Sequence, residues 1–463
     1  DLGSGIQPDA FSGGTLTFAS NTYTYTARDG TIAYFDKNLS DASASVTNYW
    51  SSPWTSEGLI TQLIRPDNET LTWTYATASV GGQTARRPQS ISNNLGYQIH
   101  FTYADNSPAN TTELLGPWLQ RTKAKGINRA YYYCADTATS CNDSTGGNWP
   151  FVTYGTETGG VETVTDRLSQ ITRYVISGGQ MTHVRLPTSS STNRMMVTYA
   201  SGEVTHVSST IGGNFSTYYD FNETAGTMTI TPFIEGGQSV VKTDLFNGWV
   251  NEGWADDTGT RMSVYLRDDH GRIERITRAD GDYTAFTYDG RGNVETVTED
   301  PKGSAMIPIV TSASYPSTCS NPKTCNKPTT TTDAKGQVTN FWYDGGHGGV
   351  TKIQLPAPGS GPHSTVRPET RFAYNSFSAW YKNSGGSLVQ APSAVHRLTE
   401  TSACTVGSVA SGCVGTANET RTVIAYEAGS WSVASNLLPV TTTARSGNTA
   451  GAGAVTSTSA VSY

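Results

Sequence analysis

Charge is scarce in this chain. Asp, Glu, Lys and Arg make up 15% of its 463 residues, and the balance is acidic, with a formal net charge of −7. Nucleic acid is therefore not an expected partner, because phosphate binding needs a basic patch. The densest basic stretch, Arg121 to Arg129 with Lys123 and Lys125, is short and reads as a solvated loop. No run approaches the ~20 apolar residues that span a bilayer, so no membrane span is expected. The first residues, Asp1-Leu2-Gly3-Ser4-Gly5, lack the basic and apolar regions of a signal peptide. Helix signals are almost absent: no 11-residue window holds a 3.6-residue period free of Gly, Pro or β-branched clusters.

Familiar catalytic motifs are missing too. There is no Gly-Lys-Ser/Thr phosphate loop, no His-Glu-x-x-His and no Gly-x-Ser-x-Gly elbow. The histidines (His100, His183, His206, His270, His347, His363 and His396) are scattered. His183 and His206 occupy equivalent-looking strand positions and read as ordinary strand histidines or a cross-strand pair. Nothing marks a particular carboxylate pair for glycoside hydrolysis. The expectation is a non-catalytic protein with no cofactor and no metal.

What is abundant is Gly (48 residues), Tyr (24) and Thr, the composition of an all-β chain with tight turns. At this length one compact core is not expected; several domains or a repeat body is. A frame does recur. Gly271-Arg272-Ile273-Glu274-Arg275-Ile276 is followed by a turn at Asp280-Gly281 and closes on Phe286-Thr287-Tyr288-Asp289. Gly58-Leu59-Ile60 runs through Leu63-Ile64, turns at Pro66-Asp67-Asn68 and closes on Trp73-Thr74-Tyr75, so both tyrosines fall 17 positions after the glycine. Such a period signals stacked repeats.

The closing box, apolar-x-Tyr, returns at Phe101-Thr102-Tyr103, Val152-Thr153-Tyr154, Val197-Thr198-Tyr199, Phe341-Trp342-Tyr343-Asp344, Phe372-Ala373-Tyr374 and Ile424-Ala425-Tyr426. Its period of two is that of a strand, with the tyrosine on the face of its apolar neighbour and its hydroxyl able to reach a backbone group or solvent at the strand end. Asp-Gly supplies the positive φ of a tight hairpin. Asp289-Gly290-Arg291-Gly292 leads straight into the next opening strand, Asn293 to Val297. Longer Ser/Thr or Pro/Gly stretches before Tyr199 and Tyr374 read as insertions confined to turns. Residues 1–57 read as a divergent β segment and residues 58–463 as the hairpin array, clearest over 260–350.

The six cysteines form three close pairs: Cys134 with Cys141, Cys319 with Cys325, and Cys404 with Cys413. Zinc thiolate pairs prefer spacings of two to four residues, so three local disulfides, and an oxidising compartment, are the expectation. Acidic turns (Asp268-Asp269, Asp280-Gly281-Asp282, Glu299-Asp300, Asp256-Asp257, and Asp220) could offer oxygens to calcium, but Asp favours such turns on conformational grounds alone. Trp50, Trp54, Trp118, Trp149, Trp249, Trp254, Trp380 and Trp431 lie largely outside the closing boxes. They either cover the ends and inner wall of the sheet or offer rings for sugar stacking and partner binding.

Asp268-Asp269-His270-Gly271-Arg272, Asp280-Gly281, Tyr288-Asp289 and Gly292-Asn293 together resemble the RHS, or YD, repeat. Asp333-Ala334-Lys335-Gly336 through Tyr343-Asp344 is a second match, with Gly336 seven before its tyrosine as Gly281 is. The segment from Cys319 through Cys325 to Pro328 is similar to an insertion in large secreted bacterial RHS proteins. The resemblance implies long hairpins spiralling into a curved or hollow shell that encloses or presents toxin or effector cargo. It implies a secreted or surface-displayed bacterial protein, with further repeats or cargo of the same polypeptide as partners. An extracellular adhesin or filament subunit binding glycans, cells or itself is the alternative.

Overall fold

The structure is a computed structural model describing residues 13–39, 58–142, 149–188, 190–209, 215–222, 224, 227–234, 242–247, 250–255, 261–302, 306–360, 365–404, 419–446 and 455–461. The chain is all-β, built of antiparallel hairpins; its described α-helices are Thr111–Leu115 and Pro322–Cys325. It divides into two compact units, one of residues 1–149, 289–293 and 312–463, the other of residues 150–288 and 294–311.

In the first unit the strands pair in chain order from Thr15–Ala19 to Arg121–Asn128, each antiparallel to the next. Ile32–Asp36 pairs with Leu59–Ile64, Ile32 facing Ile64 and Asp36 facing Leu59, with a register shift between Tyr34 and Phe35. A second run goes from Thr330–Thr332 to Val455–Ala460, with the small hairpin of Trp380–Lys382 and Leu388–Gln390 set aside from it. The second unit is one run of the same kind, from Phe151–Glu157 to Val294–Asp300.

One turn type makes many of these hairpins. The first residue's N–H donates to the fifth residue's carbonyl, and the fourth residue's N–H returns to the first residue's carbonyl. Ala27–Thr31, Arg65–Glu69, Arg278–Asp282, Asp289–Asn293 and Asp333–Gln337 all close this way. The fourth residue must then be left-handed, and Gly281 (φ 89°) and Gly336 (φ 76°) are. Asn68 (φ 73°) takes the same position in the Pro66-Asp67-Asn68 turn.

The deepest packing lies in the first unit. Leu95, Ala379, Ala391, Val395 and Leu437 form one buried cluster, with Phe377 and Tyr381 against it. Ala85, Leu114 and Trp118 form another.

Candidate functional site

The recurring site is a latch at each closing tyrosine. Tyr75 donates its hydroxyl to the Ile60 carbonyl at 2.8 Å, Tyr288 to Ile273 at 2.6 Å and Tyr343 to Pro328 at 2.9 Å. Tyr103 reaches Pro88 in the same way, and all four acceptors lie 15 residues upstream. Where turns carry insertions the interval stretches but the bond survives: Tyr199 reaches Met181 and Tyr426 reaches Leu398, both at 2.9 Å. Each bond ties a strand to the one before it, across a single turn or its insertion, on top of the ladder.

A bulge accompanies every latch. The register shifts immediately before Tyr75, Tyr103, Tyr199, Tyr288, Tyr343 and Tyr426, leaving one extra residue on the following strand. Thr122 and Thr205 are two of those extra residues, and their hydroxyls donate to the carbonyls of Thr102 and Thr198 at 3.1 and 3.2 Å. The bulge bends the strand and re-aims its side chains. Tyr374 shares the bulge but packs its ring against His347, centroids 4.4 Å apart. Tyr154 is the exception: its register is uninterrupted and its ring is exposed, so that closing box makes no latch.

A cation covers three of the latched rings. Arg272 stands over Tyr288 at 4.4 Å, Arg87 over Tyr103 at 4.0 Å and Lys327 over Tyr343 at 5.5 Å. In each case the cation immediately precedes the residue whose carbonyl accepts the hydroxyl. The Gly-Arg of the repeat motif thus has a physical role: Arg272 pairs with Asp268 at 2.7 Å and caps the Tyr288 ring. Burial, foremost, pushes the Tyr75, Tyr103, Tyr288 and Tyr426 hydroxyls above the ordinary phenol range, and Tyr343 up to about 12.

The turn carboxylates are engaged by their own loops. One Asp268 oxygen accepts the N–H groups of His270 and Arg272, one of Asp289 those of Arg291 and Asn293, and one of Asp333 those of Lys335 and Gln337. Asp344 accepts from Gly346 and His347. At Asp289 burial pulls the acid upward, but the donors from Asn293 and Arg291 together hold it below the ordinary carboxylate range. Asp280 is largely exposed near Lys302 at 3.6 Å, and Asp282 pairs with Arg278 at 2.7 Å. Replacing Asp289 by alanine should cost about 1–2 kcal/mol, since two amides and Asn293 lose an ionised acceptor; a urea titration reads it.

Two cysteine pairs stand at disulfide distance, Cys134 with Cys141 and Cys319 with Cys325, at Cα separations of 5.8 and 5.0 Å. Cys413 and the Cys404 side chain lie outside the described residues. The 319–325 loop is a junction. Arg291 donates to the Pro316 carbonyl at 2.6 Å, Asn326 to Arg28 at 3.0 Å, and Lys323 to Pro66 at 3.2 Å, while Arg28 bonds Asn293. A second seam fastens the Asp67 turn to the later strands of the same unit: Arg397 pairs with Asp67 at 2.7 Å and Asn68 donates to Ala394 at 2.7 Å. Removing the Cys134–Cys141 link by double serine substitution should cost about 2–3 kcal/mol, seen as a lowered denaturation midpoint that reductant no longer shifts at that loop.

The tryptophans divide. Trp118 takes the covering role and is buried at 2% exposure. A short helix, Thr111–Leu115, capped by Asn110, brings it down onto Ala85 beside Leu114. Arg87 lies between the Trp118 and Tyr103 rings. Trp149 is half-buried near Tyr131, centroids 6.3 Å apart, and Trp431 is 80% exposed. Trp50, Trp54 and Trp249 lie outside the described residues, as does the Trp254 side chain. His183 and His206 do not pair: His183 faces Met196, and His206 stacks on Tyr218 at 4.3 Å.

Residues 267–305 match the family model described as RHS Repeat. Over those residues the chain carries an RHS repeat. No curated protein is significantly similar to it in sequence. Among solved structures it is similar to "Crystal Structure of TcdB2-TccC3-TEV" (10% identity, TM-score 0.35, 84% of this chain and 21% of that one). It is also similar to "Crystal Structure of TcdB2-TccC3" (11%, 0.37, 92% and 24%) and "Crystal Structure of TcdB2-TccC3-Cdc42" (9%, 0.25, 92% and 27%). The chain spans 21–27% of the length of these structures. The matched RHS repeat holds the Asp268 turn, the Arg272–Tyr288 cap and latch, and the Asp289 turn, the clearest unit of the sequence pattern.

Proposed function

We propose that this chain is a wall segment of a secreted or surface-displayed RHS shell, enclosing or presenting a toxin or effector domain of the same polypeptide, with no catalysis of its own. The latch carries this reading. A hydroxyl and a bulge repeated from unit to unit, with a cation over the ring at Tyr103, Tyr288 and Tyr343, hold a wall together, and these groups are consumed in doing so. The two cysteine links support an oxidising, extracellular setting. The test is electron cryomicroscopy and limited proteolysis of the polypeptide encoded by the complete gene. A closed compartment, with cargo protected until the wall is opened, is the expected result. A solid fibre, or cargo cut as fast as free peptide, would refute it.

An adhesin reading has one observation of its own. Ser430 and Val433 close a tight turn that holds Trp431 outward. Binding across a glycan array that disappears in Trp431→Ala would favour it.

A further inference from the structure

We infer that the loop closed by Cys134 and Cys141 is a redox-gated site for a thiophilic metal ion such as Zn2+, held in the reduced chain by both thiolates and the His100 imidazole. The three ligand atoms lie within 4.8 Å of one another. His100 comes from the strand Tyr97–Tyr103, so sequence spacing alone hides the grouping. Thiolate and imidazole are the donors that zinc selects, whereas magnesium and calcium take oxygen.

The geometry needs only a small opening. Two sulfurs on a tetrahedral zinc, each at about 2.3 Å, sit roughly 3.8 Å apart, against about 2.0 Å in a disulfide. The Cα separation is 5.8 Å, and Thr137, Thr139 and Ser140 of the intervening loop are exposed, so the loop can widen by that amount without disturbing a core. One ring nitrogen of His100, Nε2, lies 2.7 Å from the Ala138 carbonyl of the same loop. The Ala138 carbonyl thus ties the imidazole to the loop that carries both cysteines.

The surroundings suit the exchange. His100 is 1% exposed, so its imidazole lies shielded from water beside the loop. Lys125 donates to the Asn142 carbonyl beside Cys141 at 3.1 Å, and Arg129 donates to the Cys134 carbonyl at 3.3 Å. Cations so placed favour thiolates. Zn2+ with two thiolates is neutral, as is the disulfide it replaces, so Lys125, Arg129 and Asp136 keep their charge balance.

The step balances. A dithiol reductant gives two electrons and two protons to the disulfide and leaves as its own disulfide. The two cysteine thiols then lose their protons to solvent as the metal–sulfur bonds form. Metal and disulfide exclude each other, so a chain made under reducing conditions holds this loop by metal until oxidation replaces it.

In the intact chain, reduced under anaerobic conditions, Zn2+ should slow alkylation of Cys134 and Cys141 at least about ten-fold, read peptide by peptide by mass spectrometry. Co2+ should give a thiolate charge-transfer band that the oxidised chain lacks. His100→Asn should abolish the protection, with far-ultraviolet circular dichroism establishing that the variant is folded. Because His100 is buried, Cys141→Ser gives a second arm, in which Cys134 should lose its protection and the cobalt band should vanish. Alkylation unaffected by Zn2+, protection that survives His100→Asn in a folded chain, or an equal cobalt band in the oxidised chain would each overturn the proposal.

Discussion

Replacing Trp118 by alanine should lower the unfolding free energy by about 3–5 kcal/mol, the range for deleting a buried large aromatic. The ring packs with Ala85 and Leu114 at 2% exposure and forms one side of the slot that holds Arg87. Arg87 is itself 3% exposed and donates to the Asp105 backbone carbonyl at 2.7 Å. It also donates to Asn106 at 2.6 Å and to the Trp118 carbonyl. Burial lowers its pKa, so the charge is held there at a cost that the two rings and three acceptors must offset. Deleting Trp118 therefore removes apolar contact and one face of a buried cation together. Arg87→Met should be destabilising as well, and the double variant should fall short of the sum, because the two residues share one contact. Urea titrations of the four proteins measure the coupling; strict additivity would mean that the ring and the guanidinium act independently.

The strands, the turns and the tyrosines were legible because their signals are local. A period of two, an Asp-Gly pair and an apolar-x-Tyr box each report on backbone within a few residues. The tyrosine ring's place on the packed face at a strand end was legible for the same reason, while its hydroxyl's choice of backbone over solvent was not. What stayed hidden depends on pairs separated by a whole hairpin. Arg87 with Tyr103, Arg272 with Tyr288 and Lys327 with Tyr343 share a 16-residue interval, yet Arg and Lys are interchangeable there and the rest of the frame varies. That interval is the signal by which a sequence could reveal the caps. The choice between a covering and an exposed role for Trp118 stayed open because a five-residue helix is too short to show a period, and its Asn110 cap looks like any polar loop. Tyr154 satisfied the box but not its context: a latch needs a bulge in the following strand, and none interrupts its ladder. His100 beside Cys134 and Cys141 is a product of folding alone.

Stability should hold from neutral pH to about 10 and then fall steeply toward pH 12, because the latches are neutral phenols. Tyr75, Tyr103, Tyr288, Tyr343 and Tyr426 all titrate above the ordinary value, burial being the first cause in each, with Tyr343 at about 12. A folded pKa above the unfolded one means that, between the two, the unfolded chain has lost protons that the folded chain keeps. Stability then declines with rising pH across that window, and the contribution is complete only below the unfolded value near 10. The chemistry gives the same sign, since an ionised hydroxyl has no proton for the Ile60, Ile273, Pro328 or Leu398 carbonyl. The nearby cations of Arg87, Arg272 and Arg397 favour the ionised form, but less than burial opposes it. Thermal midpoints measured from about pH 8 to 12 should trace the fall, and return to pH 8 should restore the midpoint, separating ionisation from base damage. Tyr343→Phe should cost about 1 kcal/mol at pH 8, the worth of one hydrogen bond, and make the alkaline decline shallower. A midpoint unchanged through pH 11.5 would mean that the hydroxyls do not hold the wall, and that the bulges and caps act without them.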